Sequence, residues 1–293
     1  MVQQIPLDIT SRVDETQDQQ GTRQVAPDLA YLRLAFVNVV FHGLPGAGDR
    51  GWVLIDTGVT GMAEKIVAAA GARFGEGARP AAIIQTHGHF DHVGALVDLA
   101  ERWDVPVYAH RLEHPYLNGT ASYPPADPSV GGGLMALLSP LYPRKPVDVG
   151  GRLLALPEDG TVPAMPGWRW LHTPGHAPGH VSLWHAGSAT LVAGDAIVTT
   201  GQESAYEAAV QEPEMHGPPQ YFTPDWQSAG ASVRLLAGLD PGLVITGHGR
   251  ALGGAKMREA LHRLADNFTE IAVPEGGRYV ADPARPEDGS VYR

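Results

Sequence analysis

The 293-residue chain is 43% hydrophobic and 18% charged, an ordinary globular balance, and no apolar stretch approaches the roughly eighteen residues of a membrane span. It has no cysteine, which excludes disulfides, thiolate nucleophiles and sulfur-bound zinc, so any metal must sit on nitrogen and oxygen. A formal net charge of −11 disfavours nucleic acid as a partner, because that affinity comes largely from Lys and Arg neutralising phosphates.

Residues 1–20 are polar and lack the basic start, apolar centre and small-residue cleavage site of a secretory signal, so the expected location is cytoplasmic. Apolar runs at 31–41 and 51–58 predict buried strands, and the helical pattern at 61–72 predicts a helix after them. A strand at 81–87, a helix at 91–102 and a strand at 105–110 follow. Residues 118–151, rich in Pro and Gly, read as a long loop. Strands are expected at 168–175, 180–185 and 189–195, then a second long loop at 199–222. A helix at 224–239, with Thr223 as N-cap and Pro224 at its first position, leads to a strand at 242–248 and a helix at 255–268. Strands and helices mix along the whole length, which makes this an α/β chain. Neither long loop has a linker's composition, so one domain is expected over 1–293, with its motifs between about 31 and 268.

Four of the apolar runs end in titratable residues: one in Asp56, one in Thr86-His87-Gly88-His89-Phe90-Asp91-His92, one in Asp195 and one in Gly247-His248. If those strands are parallel neighbours, their ends form a single rim, which is where α/β proteins place ligands. The segment from His87 to His92 carries three imidazoles and a carboxylate, donors that suit zinc, iron or manganese. So short a loop cannot turn all four onto one tetrahedral ion without strain, so two ions fit better. His87 and His89 can then face one, while Asp91 and His92, at the start of the next helix, face the other. In Thr173-Pro174-Gly175-His176, Pro then Gly suits a type II turn that would hold His176 rigidly. The pattern repeats at His180, but two histidines four apart on successive turns do not both reach a metal, and His176 is the expected ligand.

In this order and spacing, the His87–His92 segment, Thr173–His176, Gly194-Asp195 and Gly247-His248 resemble the metal motifs of metallo-β-lactamase-fold hydrolases. The resemblance implies a four-layer αββα sandwich. It also implies that His87, His89 and His176 bind one ion, that Asp91, His92 and His248 bind a second, and that Asp195 bridges the two. Two divalent ions, zinc by default with iron and manganese open, would then supply a metal-bound hydroxide as the nucleophile. Asp91 is the candidate acid/base, and Asp56, His172 and His180 are candidates to orient ligands.

Departures from subfamily patterns bear on the bond that is cleaved. β-Lactamases that share HxHxDH generally lack the bridging aspartate, and diiron flavoproteins of this fold carry an acidic residue where His89 stands. The basic glutathione-binding tail of glyoxalase II is not evident after residue 268. Acyl-homoserine lactonases are similar through His172 to His176, yet Val198 occupies the place of their carbonyl-assisting tyrosine, for which Tyr206 or Tyr221 could substitute. His216, Tyr221 and Phe222 are further candidates to touch substrate. With Tyr123, Leu134, Met135, Leu137, Leu138, Leu141 and Tyr142, they offer either an apolar wall for an acyl chain or packing against the core or a dimer partner. The expected activity is hydrolysis of a small carboxylic ester, lactone or thioester. A phosphodiesterase or nuclease of the same fold and a β-lactamase-like amide hydrolase are the alternatives.

Overall fold

Period-two alternation decides which way each strand faces, and in this chain both faces are apolar. In the computed structural model, which describes residues 5–7, 9–203 and 205–293, Leu32, Leu54 and Ile83 point to an outer core, while Tyr31, Val53, Ile55 and Ile84 point inward. Such strands need cover on two sides, and the fold supplies a helical layer outside and a second sheet inside.

The first sheet has eight strands whose spatial order follows the chain: Thr16–Gln17, Thr22–Ala26, Leu29–Leu34, Val37–His42, Val53–Ile55, Ala82–Ile84, Val107–Ala109 and Leu153–Ala155. Its last four strands are parallel. The second sheet runs Trp168–His172, Val181–His185, Thr190–Gly194, Leu243–Thr246 and Leu252–Gly253, with the third and fourth parallel. Helices Ala63–Phe74 and Leu96–Trp103 cover the first sheet through Ile66, Phe74, Leu99 and Trp103. Helices Trp226–Ala237 and Gly254–Asp266 cover the second through Val233, Leu236, Met257 and Leu261. Between the sheets, Val181, Leu183, Val192 and Ile245 meet the inner face of the first. The result is the αββα sandwich. Among the described residues, no helix is long and apolar enough to cross a membrane.

Three expectations need correction. The run at 31–41 is not one strand but a hairpin: Leu34 pairs with Val37, and Ala35 makes the reversal at φ 59°. The helix expected from Asp91 begins at Leu96, because the backbone between is engaged elsewhere: the His92 carbonyl accepts Thr57 N–H at 2.8 Å, and Gly94 N–H donates to Gly58 O at 2.7 Å. Asp225, not Thr223, caps the later helix, accepting the N–H groups of Gln227 and Ser228 at 3.1 Å each. The Thr223 hydroxyl is already committed to Pro219 O at 2.7 Å. The two long loops carry short helices of their own, at Leu134–Leu138 and Ala205–Val210.

Candidate metal centre

Asp56 follows the strand Val53–Ile55, and His87 lies three residues beyond the parallel strand Ala82–Ile84. In the other sheet, Asp195 follows Thr190–Gly194, and His248 lies just past the parallel strand Leu243–Thr246. Asn38 joins the two pairs of strand ends across the sandwich: its N–H donates to Gly247 O at 2.7 Å, and its amide donates to Thr246 O at 2.9 Å and Gly249 O at 2.7 Å. All four ends therefore open at one edge. Gly247 is required there by close approach, since a Cβ would fall 1.9 Å from Asp195 Oδ1.

His87, His89, Asp91, His92, His176, Asp195 and His248 are all buried at this edge. Their donor atoms form three overlapping trios, His87–His89–His176, His87–His92–Asp195 and Asp91–His92–His248, each with its atoms within 4.8 Å of one another. Asp195 Oδ2 lies between the halves, 3.5 Å from His92 Nε2, 3.5 Å from His176 Nε2 and 3.0 Å from His248 Nε2. Asp91 Oδ2 is 3.4 Å from His248 Nε2, and His89 Nδ1 is 2.9 Å from His176 Nε2.

In His87, His92, His176 and His248 the outer ring nitrogen has a protein partner that turns the inner one toward the cluster. Asp56 Oδ2 takes His92 Nδ1 at 2.8 Å and also accepts the Thr86 hydroxyl, which in turn lies 3.0 Å from His87 Nδ1. His176 Nδ1 meets Thr223 Oγ1 at 3.3 Å, and His248 Nδ1 donates to Phe36 O at 2.9 Å. His87 Nε2, His92 Nε2 and Asp195 Oδ1 are buried with no hydrogen-bond partner. Burial without a partner is costly for such atoms. A pair of cations would satisfy them, and the all-nitrogen-and-oxygen donor set fits that pair.

Electrostatics divide the cluster. Burial, reinforced by neighbouring imidazoles, holds His87 and His176 well below the ordinary histidine value and His89 at about 3. Burial also pulls on His92 and His248, but the carboxylate of Asp195, with those of Asp56 and Asp91 at His92 and of Asp91 at His248, outweighs it and raises both. Asp195 itself is pushed up by burial, yet His248 and His92 overcome this and hold it well below the carboxylate range. Asp91 is raised, chiefly by burial.

The remaining sequence candidates separate. His180 Nε2 accepts Asp195 N–H at 2.9 Å and its Nδ1 meets Thr173 Oγ1 at 2.9 Å, so it fixes the start of the Asp195 segment. Asp56 caps no helix; it takes a left-handed φ of 59° to reach Thr86 and His92. His172 faces outward instead, bonded to Pro178 O at 2.8 Å and stacked on His110, and so braces the His176 turn from outside. His216 is engaged by Glu214 at 2.8 Å and lines a different cavity, with Glu203 and Glu270. Tyr206 stands 73% exposed on its helix, so it fits no wall of a buried cleft. The Tyr221 hydroxyl lies 3.5 Å from Gln202 O, and Phe222 stacks on His89 at 4.9 Å and continues to Phe90 and Tyr142. Glu113, which sequence reasoning missed, and Tyr123, expected only as part of an apolar wall, are buried behind the His87–His89 loop. Glu113 Oε2 accepts Gly88 N–H at 2.9 Å and the Tyr123 hydroxyl, and burial pushes its carboxyl up to about 7.

Residues 33–248 match the metallo-beta-lactamase superfamily. The chain belongs to that superfamily. It is 48% identical over 240 residues to the probable metallo-hydrolase YflN of Bacillus subtilis, covering 82% of this chain and 90% of that protein. A hydroxyacylglutathione hydrolase of Acidiphilium cryptum is 27% identical over 224 residues, covering 75% of this chain and 72% of the relative. Among solved structures, a protein in a di-iron-bound form is 28% identical with a TM-score of 0.50, covering 78% of this chain and 95% of that one. The superfamily member described here is a metallo-hydrolase with a His/Asp cluster suited to divalent metals.

Proposed function

We propose that the seven side chains hold two divalent cations and that the enzyme hydrolyses a carboxylic ester, lactone or thioester of a small molecule. The observation that carries this reading is Asp195 Oδ2, seated between the inner nitrogens of His92, His176 and His248. In this assignment His87, His89 and His176 form one subsite, Asp91, His92 and His248 the other, and Asp195 is shared. When bound, the cations supply Lewis acidity and make water a competent nucleophile near neutral pH.

The chain's own residues supply the rest. Asp91 is buried and meets His248 through Oδ2, so its other oxygen can take a proton from the nucleophilic water and pass it to the leaving group. Phe222, Phe90 and Tyr142 form a continuous aromatic wall from His89 outward, suited to an apolar acyl group and to excluding water. Similarity to hydroxyacylglutathione hydrolases supports thioesters as the first substrates to try. Zinc remains the default cation, and the di-iron neighbour supports iron as the second.

The test is a panel of esters, lactones, thioesters, amides and phosphodiesters with the metal-loaded and chelator-stripped protein. Turnover of a carboxylic ester, lactone or thioester, lost on stripping and restored by zinc, iron or manganese, is the expected result. Equal activity in the fully stripped protein would refute the proposal, and turnover of phosphodiesters alone would move the enzyme to a different class.

A further inference from the structure

Glu113 is a buried carboxyl that the hydrolytic reading does not use, 0% exposed at the end of the short 3₁₀ turn Arg111–Glu113. That turn follows the strand Val107–Ala109, the parallel neighbour of Ala82–Ile84, so it emerges beside the loop carrying His87 and His89. Its two oxygens serve different loops. Oε2 accepts Gly88 N–H, the peptide between His87 and His89, at 2.9 Å, together with the Tyr123 hydroxyl. Oε1 accepts Gly179 N–H, in the turn between His176 and His180, at 2.7 Å. Tyr123 reinforces the first contact, since Gly88 N–H also reaches its oxygen at 2.8 Å and its ring lies against His89 with centroids 4.2 Å apart.

Both glycines leave room for this carboxyl. A Cβ on Gly179 would fall 2.8 Å from Glu113 Cγ, and one on Gly88 would fall 3.1 Å from the Tyr123 oxygen and 3.4 Å from Glu113 Oε2. The loops so joined are those that deliver His87, His89 and His176. The other half of the cluster is oriented by different groups, Asp56 at His92 and Phe36 O at His248.

We propose that Glu113 is a positioning residue for the three-histidine subsite, setting the separation of the His87–His89 loop from the His176 turn through one carboxylate that accepts from both. The inference rests on the two-cation reading. A carboxylate is suited to the task because it only accepts, whereas the amide of Glu113→Gln must point an N–H₂ donor at one of the two glycine N–H groups.

The experiment is titration of cobalt(II) into the metal-free chain, followed by visible absorption, with His89→Ala and His248→Ala variants assigning the two uptake steps. Glu113→Gln should weaken the three-histidine step by about 10- to 100-fold, the usual effect of losing a group that orients a ligand, and leave the Asp91–His92–His248 step unchanged. Tyr123→Phe, which keeps the carboxylate, should weaken the same step less, and it serves as the test if Glu113→Gln does not fold. Both steps unmoved, or both weakened alike, would overturn the proposal, since a merely stabilising residue acts on the whole cluster. A wild-type chain that takes up only one cobalt would count against the two-cation reading itself, whereas Glu113 is judged by the difference between variant and wild type.

Discussion

Asp91 differs from Asp195 in the company it keeps. Burial pushes Asp195 up but His248 and His92 outweigh it and draw its carboxyl far down, while at Asp91, 3.4 Å from His248 Nε2, burial prevails over the same two histidines and raises the carboxyl. Asp91 meets the cluster through Oδ2, which leaves its other oxygen for proton transfer, whereas Asp195 is enclosed by ligand nitrogens, so the roles of ligand bridge and proton carrier fall to different residues. Asp91→Asn should therefore lower kcat by about 10²- to 10⁴-fold under saturating metal while cation content stays near that of the wild type. Steady-state rates with elemental analysis on the same sample check this; an unchanged kcat would remove Asp91 from the proton path. The ligand residues were legible at this scale because strand ends and glycines bracket them in sequence. Glu113 and Thr223 were not, because the two glycines that Glu113 joins lie 25 and 66 residues from it and His176 lies 47 from Thr223, with no local pattern to mark them.

Elements were legible where the hydrophobic period was long and misread where side chains outbid the local rule. The helix Trp226–Ala237 illustrates this. Thr223 and Pro224 form a normal helix start in sequence, yet Thr223 serves His176 and Pro219, and Asp225 takes over the cap. Asp225 also receives Arg285 at 3.4 Å, which ties the C-terminal segment to the same helix end. Because a side-chain cap typically contributes about 0.5–2 kcal/mol, Asp225→Ala should lower the thermal midpoint measurably without changing metal stoichiometry. Circular dichroism melts would show it, and an unchanged midpoint would mean that the cap is dispensable. The hairpin at Ala35 was hidden for a different reason. It lacks the Asn-Gly or Gly residues that announce a tight reversal, and the apolar pattern runs through it.

At the level of the whole molecule, an edge where two sheets meet gathers four histidines that burial keeps neutral, and this bears on stability without metal. His89 and His180 are held at about 3 by burial, with His87 and His176 also well below the ordinary value of 6.5. The unfolded chain takes up those protons as the pH falls through 6.5, and the native chain does not, so acid favours unfolding. Each such proton tilts stability by about 1.4 kcal/mol per pH unit in that window. Glu113 and Asp91, both raised, act in the opposite sense, holding protons in the native state that the unfolded chain has released. His92 and His248, raised, oppose the loss only above 6.5, whereas His42, His110 and His114, lowered chiefly by burial, add to it, so below 6.5 the imidazoles outweigh the two carboxyls and stability falls toward acid. The thermal midpoint of the metal-free protein should fall between pH 7 and pH 5, and a flat or rising midpoint would contradict the burial argument.

The architecture was readable from alternating strands and helices, and the metal cluster from the order of its motifs. Substrate preference was not, because the walls come from loops whose contacts depend on three-dimensional packing, as the divergent positions of Tyr206 and Phe222 illustrate. The central claim is that seven side chains meet around a pair of cations. Anomalous diffraction at the zinc edge from crystals of the zinc-loaded protein tests it directly. Two peaks are predicted, each about 2.0–2.2 Å from its ligand atoms and both in contact with Asp195. A single peak, or one that leaves His176 or His248 uncoordinated, would contradict the account.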